Sequence, residues 1–202
     1  LRMVLVASAA PAEGKSTVAT GLALALAQHL ENGHRVLLVD SDLRRPTVHN
    51  LLGLPNRVGL STVLEGQSTL GESILPSGAR PNLMVLPAGP TPRHSSELLT
   101  MHMAKILENL RQEYRYVVID SAPLLVCADT TILSTMADGV LLVTRAGDTT
   151  RDVVAAALRQ LRRVRAKVLG LVLNQVRLPE MRGYDQYYSS YYHSQSQSQE
   201  EI

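Results

Sequence analysis

Gly14-Lys15-Ser16-Thr17 closes the stretch VLVASAAPAEGKST (Val4–Thr17), in which a short apolar run gives way to small residues and then to an alanine- and leucine-rich segment. Buried strand, tight turn and helix N-terminus in that order make a phosphate-binding loop. A triphosphate needs several converging backbone N–H donors, and the first turn of a helix leaves its own unpaired. It also needs a cation, for which Lys15 is placed, and a hydroxyl for Mg²⁺, for which Ser16 is placed. The general pattern G-x-x-x-x-G-K-[ST] has Ala9 here in place of its first glycine. The loop alone implies a nucleotide and leaves the reaction open.

Three aspartates carry the next part of the chemistry. Asp40 and Asp42 follow the run RVLLV, and Asp120 follows YVVI. On a continuing strand Asp40 and Asp42 would face the same side. Phosphoryl transfer needs a metal held by a loop hydroxyl and one or two carboxylates, and a carboxylate for the proton of the attacking hydroxyl. The competing reading is that strand-terminal aspartates only cap loops.

The elements that must position these residues alternate. Strands are predicted at Leu1–Ser8, Arg35–Val39, Leu83–Leu86, Tyr116–Ile119, Gly139–Thr144 and Val168–Leu173, with a weaker one near Glu72–Leu75. Helices are predicted from Gly14 to about Leu30, apolar nearly all round and stopped at Asn32-Gly33, from Ser95 onward, over Thr130–Ala137 and over Arg151–Val164. In the Ser95 helix Leu98, Met101, Ile106, Leu107 and Leu110 share one face. Two short helical pieces lie between Pro46 and Gly66. This alternation predicts an α/β fold: a mostly parallel central sheet covered by helices on both faces. Such sheets bind ligands at the carboxyl ends of their strands, where Gly14–Thr17, Asp40, Asp42, Asp120 and Asn174 would gather.

The 202 residues, 45% of them hydrophobic, suffice for one sizeable core. A formal net charge of +2 does not call for nucleic acid or an anionic membrane. The single cysteine, Cys127, excludes a disulfide framework and a Cys-rich metal site. No uninterrupted apolar run reaches membrane-spanning length, and no signal peptide is read at the start. Opening so close to a buried strand is expected of a segment of something longer. Arg159, Arg162, Arg163, Arg165 and Lys167, late in a helix and just beyond it, read as a solvated face, since cations near a helix C-terminus are ordinary.

Phe and Trp are absent, and five of the seven tyrosines (Tyr184, Tyr187, Tyr188, Tyr191 and Tyr192) crowd the polar C-terminal stretch. That stretch has too few aliphatic residues to offset its ordering entropy. The expected organisation is a domain over 1–178 and a flexible tail over 179–202. A nucleic-acid stacking surface would not exclude Phe, whereas a phosphate acceptor requires the hydroxyl.

The ordered motifs resemble the bacterial tyrosine kinases of capsule and exopolysaccharide synthesis, a P-loop group. SAAPAEGKST (Ser8–Thr17) is similar to their Walker A segment, VLLVDSDLR (Val36–Arg44) to their D-x-D-x-R motif, and VVIDSAP (Val117–Pro123) to their Walker B; GLSTVLEG and GLVLN are also similar. The resemblance implies ATP and Mg²⁺ as cofactors. It implies that Ala12, Glu13, Gly14, Lys15, Ser16, Thr17 and Asn174 bind the nucleotide, with Asn174 near the adenine. Ser16, Asp42 and Asp120 would hold the metal, Lys15 the β- and γ-phosphates, and Asp40 would orient or deprotonate the tyrosine. The five tail tyrosines would be the acceptors, modified mainly between molecules, since a tether of about 30 Å reaches a neighbour as easily as its own site. Implied partners are further copies of the chain, with a ring oligomer in the full-length protein, and a transmembrane activator, fused or separate, at the inner face of the plasma membrane. Two departures stand out. Ala12 replaces a frequent glycine, and the family's upstream Arg-containing helix, associated with ring assembly, does not precede the loop. The alternative is a partition or septum-positioning ATPase, whose loop carries a signature Lys where Ala10 stands here.

Overall fold

In a computed structural model of the protein, the described residues are 1–30 and 33–176. A seven-stranded sheet runs β3-β4-β2-β5-β1-β6-β7, with β1 at Met3–Ser8, β2 at Val36–Asp40, β3 at Leu75–Pro76, β4 at Leu83–Leu86, β5 at Tyr116–Asp120, β6 at Gly139–Arg145 and β7 at Val168–Asn174. All pairings are parallel except β3 with β4. The inner strands are apolar without alternation, as a strand buried on both faces must be: every residue of β1 and of β2 is buried.

The helices are α1 (Lys15–His29), α2 (Val48–Leu52), α3 (Leu60–Leu64), α4 (Leu70–Ser73), α5 (Ser95–Glu113), α6 (Asp129–Ser134) and α7 (Arg151–Arg163). One face of the sheet packs under α5, α6 and α7 through Leu99, Met103, Leu110, Leu133 and Leu161. The other packs under α1 through Ala19, Ala23 and Ala27, whose small side chains bring the P-loop helix close to the sheet.

Several expectations change. Helix α1 is fully buried along one stripe only (Ser16, Ala19, Thr20, Ala23 and Ala27), where small side chains let it sit close to the sheet, while Val18, Leu22, Leu24 and Leu26 flank that stripe partly buried. It ends at His29; the stop expected at Asn32-Gly33 falls partly outside the described residues. The weak strand at Glu72–Leu75 is instead α4 followed by a two-residue antiparallel bridge. A reciprocal capping box between Thr69 and Glu72 starts that helix. Helix α5 buries Ile106, Leu107 and Leu110 as expected, but in its first half Leu99 and Met103 are buried in place of Leu98, which is partly buried, and Met101, which is 66% exposed.

Beneath the site, Gly59 closes a tight joint. Leu60 and Ser61 donate their N–H groups to Pro87 O (2.7 Å) and Ala88 O (2.8 Å), and a Cβ on Gly59 would lie 2.2 Å from Pro87 O.

Candidate nucleotide site

The loop between β1 and α1 is shaped by two left-handed residues, Ala12 (φ 63°) and Gly14 (φ 88°). Gly14 is required twice over. Its backbone conformation favours glycine, and a Cβ there would lie 2.1 Å from Asn174 Nδ2. Asn174 donates from that atom to Glu13 O at 2.9 Å. Glu13 is 2% exposed and points back into the loop, accepting from Ala10 N–H at 2.8 Å and from the Thr149 hydroxyl. It braces the loop from inside.

The consequence is a row of donors. No N–H group from Ala12 to Thr17 donates to any described residue, and the helix N-cap, Gly14, has no side chain with which to cap them. Ala12, Gly14, Lys15, Ser16 and Thr17 line a cleft of about 540 Å³ with Asp42 and Ala122. Converging free N–H groups at a helix N-terminus are an anion site.

Asp40, Asp120 and the loop meet because β2, β5 and β1 are adjacent and end level; Asp40 is paired in register with Asp120. Their environments differ. Asp40 is fully buried, its Oδ1 accepting from Asp42 N–H (3.2 Å) and its Oδ2 from Thr47 (3.2 Å) and Val48 (3.1 Å) N–H. It therefore does cap the loop that follows it. Burial, and secondarily the charge of Asp42, still push its pKa up to about 6 against those hydrogen bonds. Asp120 is also fully buried, and neither of its oxygens has a hydrogen-bond partner. Burial raises its pKa to about 8, with repulsion from Asp40 and Asp42 adding to the shift and Lys15 opposing it.

Strand β2 ends at Asp40, so Asp42 lies on the loop beyond rather than on a continuing strand. It accepts from Arg45 N–H at 3.0 Å and pairs with Lys15, Nζ to Oδ2 3.0 Å, with side chains 3% and 13% exposed. Among the described residues no three His, Cys, Asp or Glu side chains form a metal cluster by themselves. The donor set nevertheless suits Mg²⁺, which takes one or two carboxylates and completes its shell with water and substrate phosphates. Ser16, Asp42 and the unpaired Asp120 would hold it there.

Two features of the cleft carried no sequence assignment. Arg44 lines it, half exposed, with Nε 3.3 Å from Asp129 Oδ2 and Nη2 3.2 Å from Ser96 Oγ. Asp129, fully buried, also accepts from the hydroxyls of Ser95 and Ser96. Arg44 stands in the D-x-D-x-R motif, so its position was legible and its buried partner was not. Thr149, which fixes Glu13, has no sequence signal. The five tail tyrosines and the 179–202 tail lie outside the described residues.

A family model described as ParA: NUBPL iron-transfer P-loop NTPase matches residues 1–200. Tyrosine-protein kinase YwqD of Bacillus subtilis is 38% identical over 191 residues, covering 93% of this chain and 78% of that protein. This chain belongs to the bacterial tyrosine-protein kinases. Tyrosine-protein kinase CpsD of Streptococcus agalactiae is 34% identical over 177 residues, 87% of this chain and 76% of that one. The kinase domain of the Escherichia coli tyrosine kinase ETK superposes with a TM-score of 0.81 at 32% identity, covering 87% of this chain and 68% of that one. A septum site-determining protein MinD of Pyrococcus horikoshii, at 23% identity and a TM-score of 0.71, shares the fold alone. The kinase family is thus distinguished from the ATPase alternative by its sequence relatives, while both share the P-loop sheet. Membership also carries nucleotide binding.

Proposed function

We propose that the chain is an ATP·Mg²⁺-dependent protein-tyrosine autokinase, and that the orphaned, fully buried carboxylate of Asp120 facing the Lys15–Asp42 pair is the observation that supports this most directly. A buried carboxylate without a partner is costly, and it is suited to a divalent cation. Bound Mg²⁺ would supply neutralisation of the charge on the transferring phosphoryl group. The N–H groups of residues 12–17 cradle the phosphates, and Lys15, released from Asp42, neutralises the β- and γ-oxygens. The tyrosine oxygen attacks the γ-phosphorus, the bond from that phosphorus to the β-bridging oxygen breaks, and ADP leaves. Asp40 is assigned the tyrosine proton in this reading: its raised pKa makes it a better base than an ordinary carboxylate, once its oxygens are freed from the Asp42, Thr47 and Val48 N–H groups that hold them. Asn174, which holds the loop through Glu13 O, is assigned the edge of the base in this reading.

The acceptors in this reading are Tyr184, Tyr187, Tyr188, Tyr191 and Tyr192, in a tail over 179–202 attached to a kinase domain over 1–178. Transfer runs mainly between molecules. Each phosphate adds nearly two negative charges at neutral pH, so a loaded tail repels its neighbours and the nucleotide. Among the described residues no helix is long and apolar enough to cross a membrane. A transmembrane activator, fused or separate, would bring the domain to the inner face of the plasma membrane. The succinoglycan biosynthesis transport protein ExoP of Rhizobium meliloti is 36% identical over 194 residues, which make up 24% of it. Its name supports a role in exopolysaccharide or capsule export here. No nucleic acid is required.

The test is to incubate the chain with γ-³²P-labelled ATP and Mg²⁺, with and without an activator's cytoplasmic segment, and to map the label by mass spectrometry. Label on Tyr184–Tyr192 is expected; none in either condition overturns the kinase reading. Lys15→Met and Asp40→Asn are expected to abolish labelling without lowering the melting temperature. Full transfer by Lys15→Met would show the site to be wrongly assigned. Mixing a tail-less active chain with Lys15→Met distinguishes trans from cis transfer, since only trans transfer labels the inactive chain's tail.

A further inference from the structure

The end of the sheet opposite the nucleotide cleft carries a row of cations. Backbone hydrogen bonds fix their order: Arg115 N–H donates to Arg35 O (2.9 Å), Val117 N–H to Arg2 O (2.8 Å), Asp138 N–H to Met3 O (3.0 Å) and Val140 N–H to Lys167 O (2.8 Å). Arg35, Arg115, Arg2 and Lys167 therefore stand at the amino ends of β2, β5, β1 and β7. At about 4.8 Å between strands the row spans about 19 Å. All four are exposed, and so are Arg162 and Arg163 in the last turn of α7, at the same end of the molecule.

The acidic residues at this end cancel only one cation of the row, Arg35. Glu113 pairs with Arg35 (2.9 Å) and Asp138 with Arg111 (2.7 Å). Arg2, Arg115, Arg162, Arg163 and Lys167 have no acidic partner among the described residues. Arg35, besides its pair with Glu113, lies 5.2 Å from the Tyr114 ring, and the unpaired Arg115 lies 5.7 Å from the Tyr116 ring, which orients both guanidinium groups. A helix dipole accounts for cations at the end of α7. It does not account for those at the strand starts, because sheets have only small net dipoles. A whole-chain charge of +2 thus conceals a strongly basic end.

We propose that this basic end docks on an anionic lipid surface, with the nucleotide cleft facing away from the bilayer. Level strand ends in a row present many cations to one plane, which suits lipid headgroups. The cleft, with its free N–H row, opens at the other end of the strands. Strand β7 also ends on the cleft side, so the chain leaves the sheet at the end opposite the basic row, which favours lipid over the chain's own tail as the occupant. The proposal is independent of the kinase reading, because it concerns residues that take no part in transfer.

The test is co-sedimentation of the 202-residue chain with vesicles of phosphatidylcholine alone and with 30 mol% phosphatidylglycerol, at about 0.1 M and 0.5 M salt. Binding only to the anionic vesicles, lost at high salt, is expected. Each cation near such a surface is worth about fivefold in partitioning. Arg115→Gln, Arg163→Gln and Lys167→Gln together should therefore weaken it about a hundredfold. The control Arg57→Gln, Arg93→Gln and Arg151→Gln removes equal charge away from the row and should weaken binding less than tenfold. Equal loss in both triples, or no binding to anionic vesicles by a chain with an unchanged melting temperature, overturns the proposal. So does tight binding of a tyrosine-phosphorylated peptide of residues 183–193 that depends on the same three cations while vesicles are ignored; that result would assign the surface to a phosphopeptide.

Discussion

Replacing Asp120 by asparagine should stabilise the protein in the absence of nucleotide and metal. Asp120 is completely buried with both oxygens unpaired, and burial lifts its pKa from 3.8 to about 8. The folded state holds this proton more tightly than the unfolded chain does. Stability from this group is therefore full below about pH 4 and falls as pH rises towards 8. At about 1.4 kcal/mol per unit, with the proton shared with the neighbouring Asp40, the cost at pH 7 is on the order of 2–4 kcal/mol. Asparagine keeps the shape without the charge. For a domain of this size the melting temperature should rise by roughly 5–10 °C at pH 7 in a chelator, and its fall with increasing pH should be shallower. Adding Mg²⁺ and ADP should reverse the ranking, because the wild type gains binding free energy that the variant has lost. Thermal unfolding between pH 5 and 8.5, with and without Mg·ADP, reads both effects. A variant that melts at or below the wild type at pH 7 without ligand, with an unchanged pH profile, would refute the reasoning.

Three further substitutions test other parts of the structure. Gly59→Ala places a Cβ 2.2 Å from Pro87 O and 2.4 Å from Gly89 N, backbone atoms that cannot rotate away; urea unfolding should show a loss of roughly 1–3 kcal/mol or more. Ala12→Gly relieves a non-glycine residue at φ 63°; the gain is offset by the greater freedom of glycine when unfolded, leaving about 0.5–1 kcal/mol of stabilisation. Asp138 would have its pKa raised by burial, but hydrogen bonds from Arg2 N–H, Arg111 and Met3 N–H outweigh this and hold it at about 2. Its contribution is present above about pH 4 and is lost as pH falls through about 2. Asp138→Ala should therefore cost on the order of 1–2 kcal/mol at neutral pH, after allowance for its partial exposure, and progressively less as pH falls towards 2.

The apolar strands and the residues at their carboxyl ends were legible because a doubly covered parallel strand tolerates little but Val, Ile and Leu. RVLLVDSD and YVVID could hardly have been read otherwise. The faces of the helices were less legible. Alanine is at home buried or exposed, so α1 revealed its period only through packing; in α5, Leu98 and Leu99 compete for the same stripe, and tertiary contact selected Leu99. The Thr69–Glu72 capping box was present in the sequence and outweighed the apparent strand. Within the site, residue types announced the phosphate loop and the three carboxylates. The buried supports did not announce themselves, because Asp129 under Arg44 and Thr149 under Glu13 are brought there across 85 and 136 residues of chain.

The ion pair between Lys15 and Asp42 makes the two halves of the substrate thermodynamically dependent on each other. A phosphate that draws Lys15 away leaves a carboxylate only 3% exposed without its partner, and a cation then binds Asp42 at a site already cleared. A cation arriving first frees Lys15 in the same way for the phosphate. By reciprocity, each must tighten the other by the same factor. Calorimetric titration of ADP with and without Mg²⁺ reads that factor as a ratio of two dissociation constants. The ratio should be well above one in the wild type and shrink in Asp42→Asn; a ratio near one in the wild type would rule the coupling out. Nucleotide and metal would then leave together as well as arrive together, and product release would be completed by the protein's own counter-ion returning.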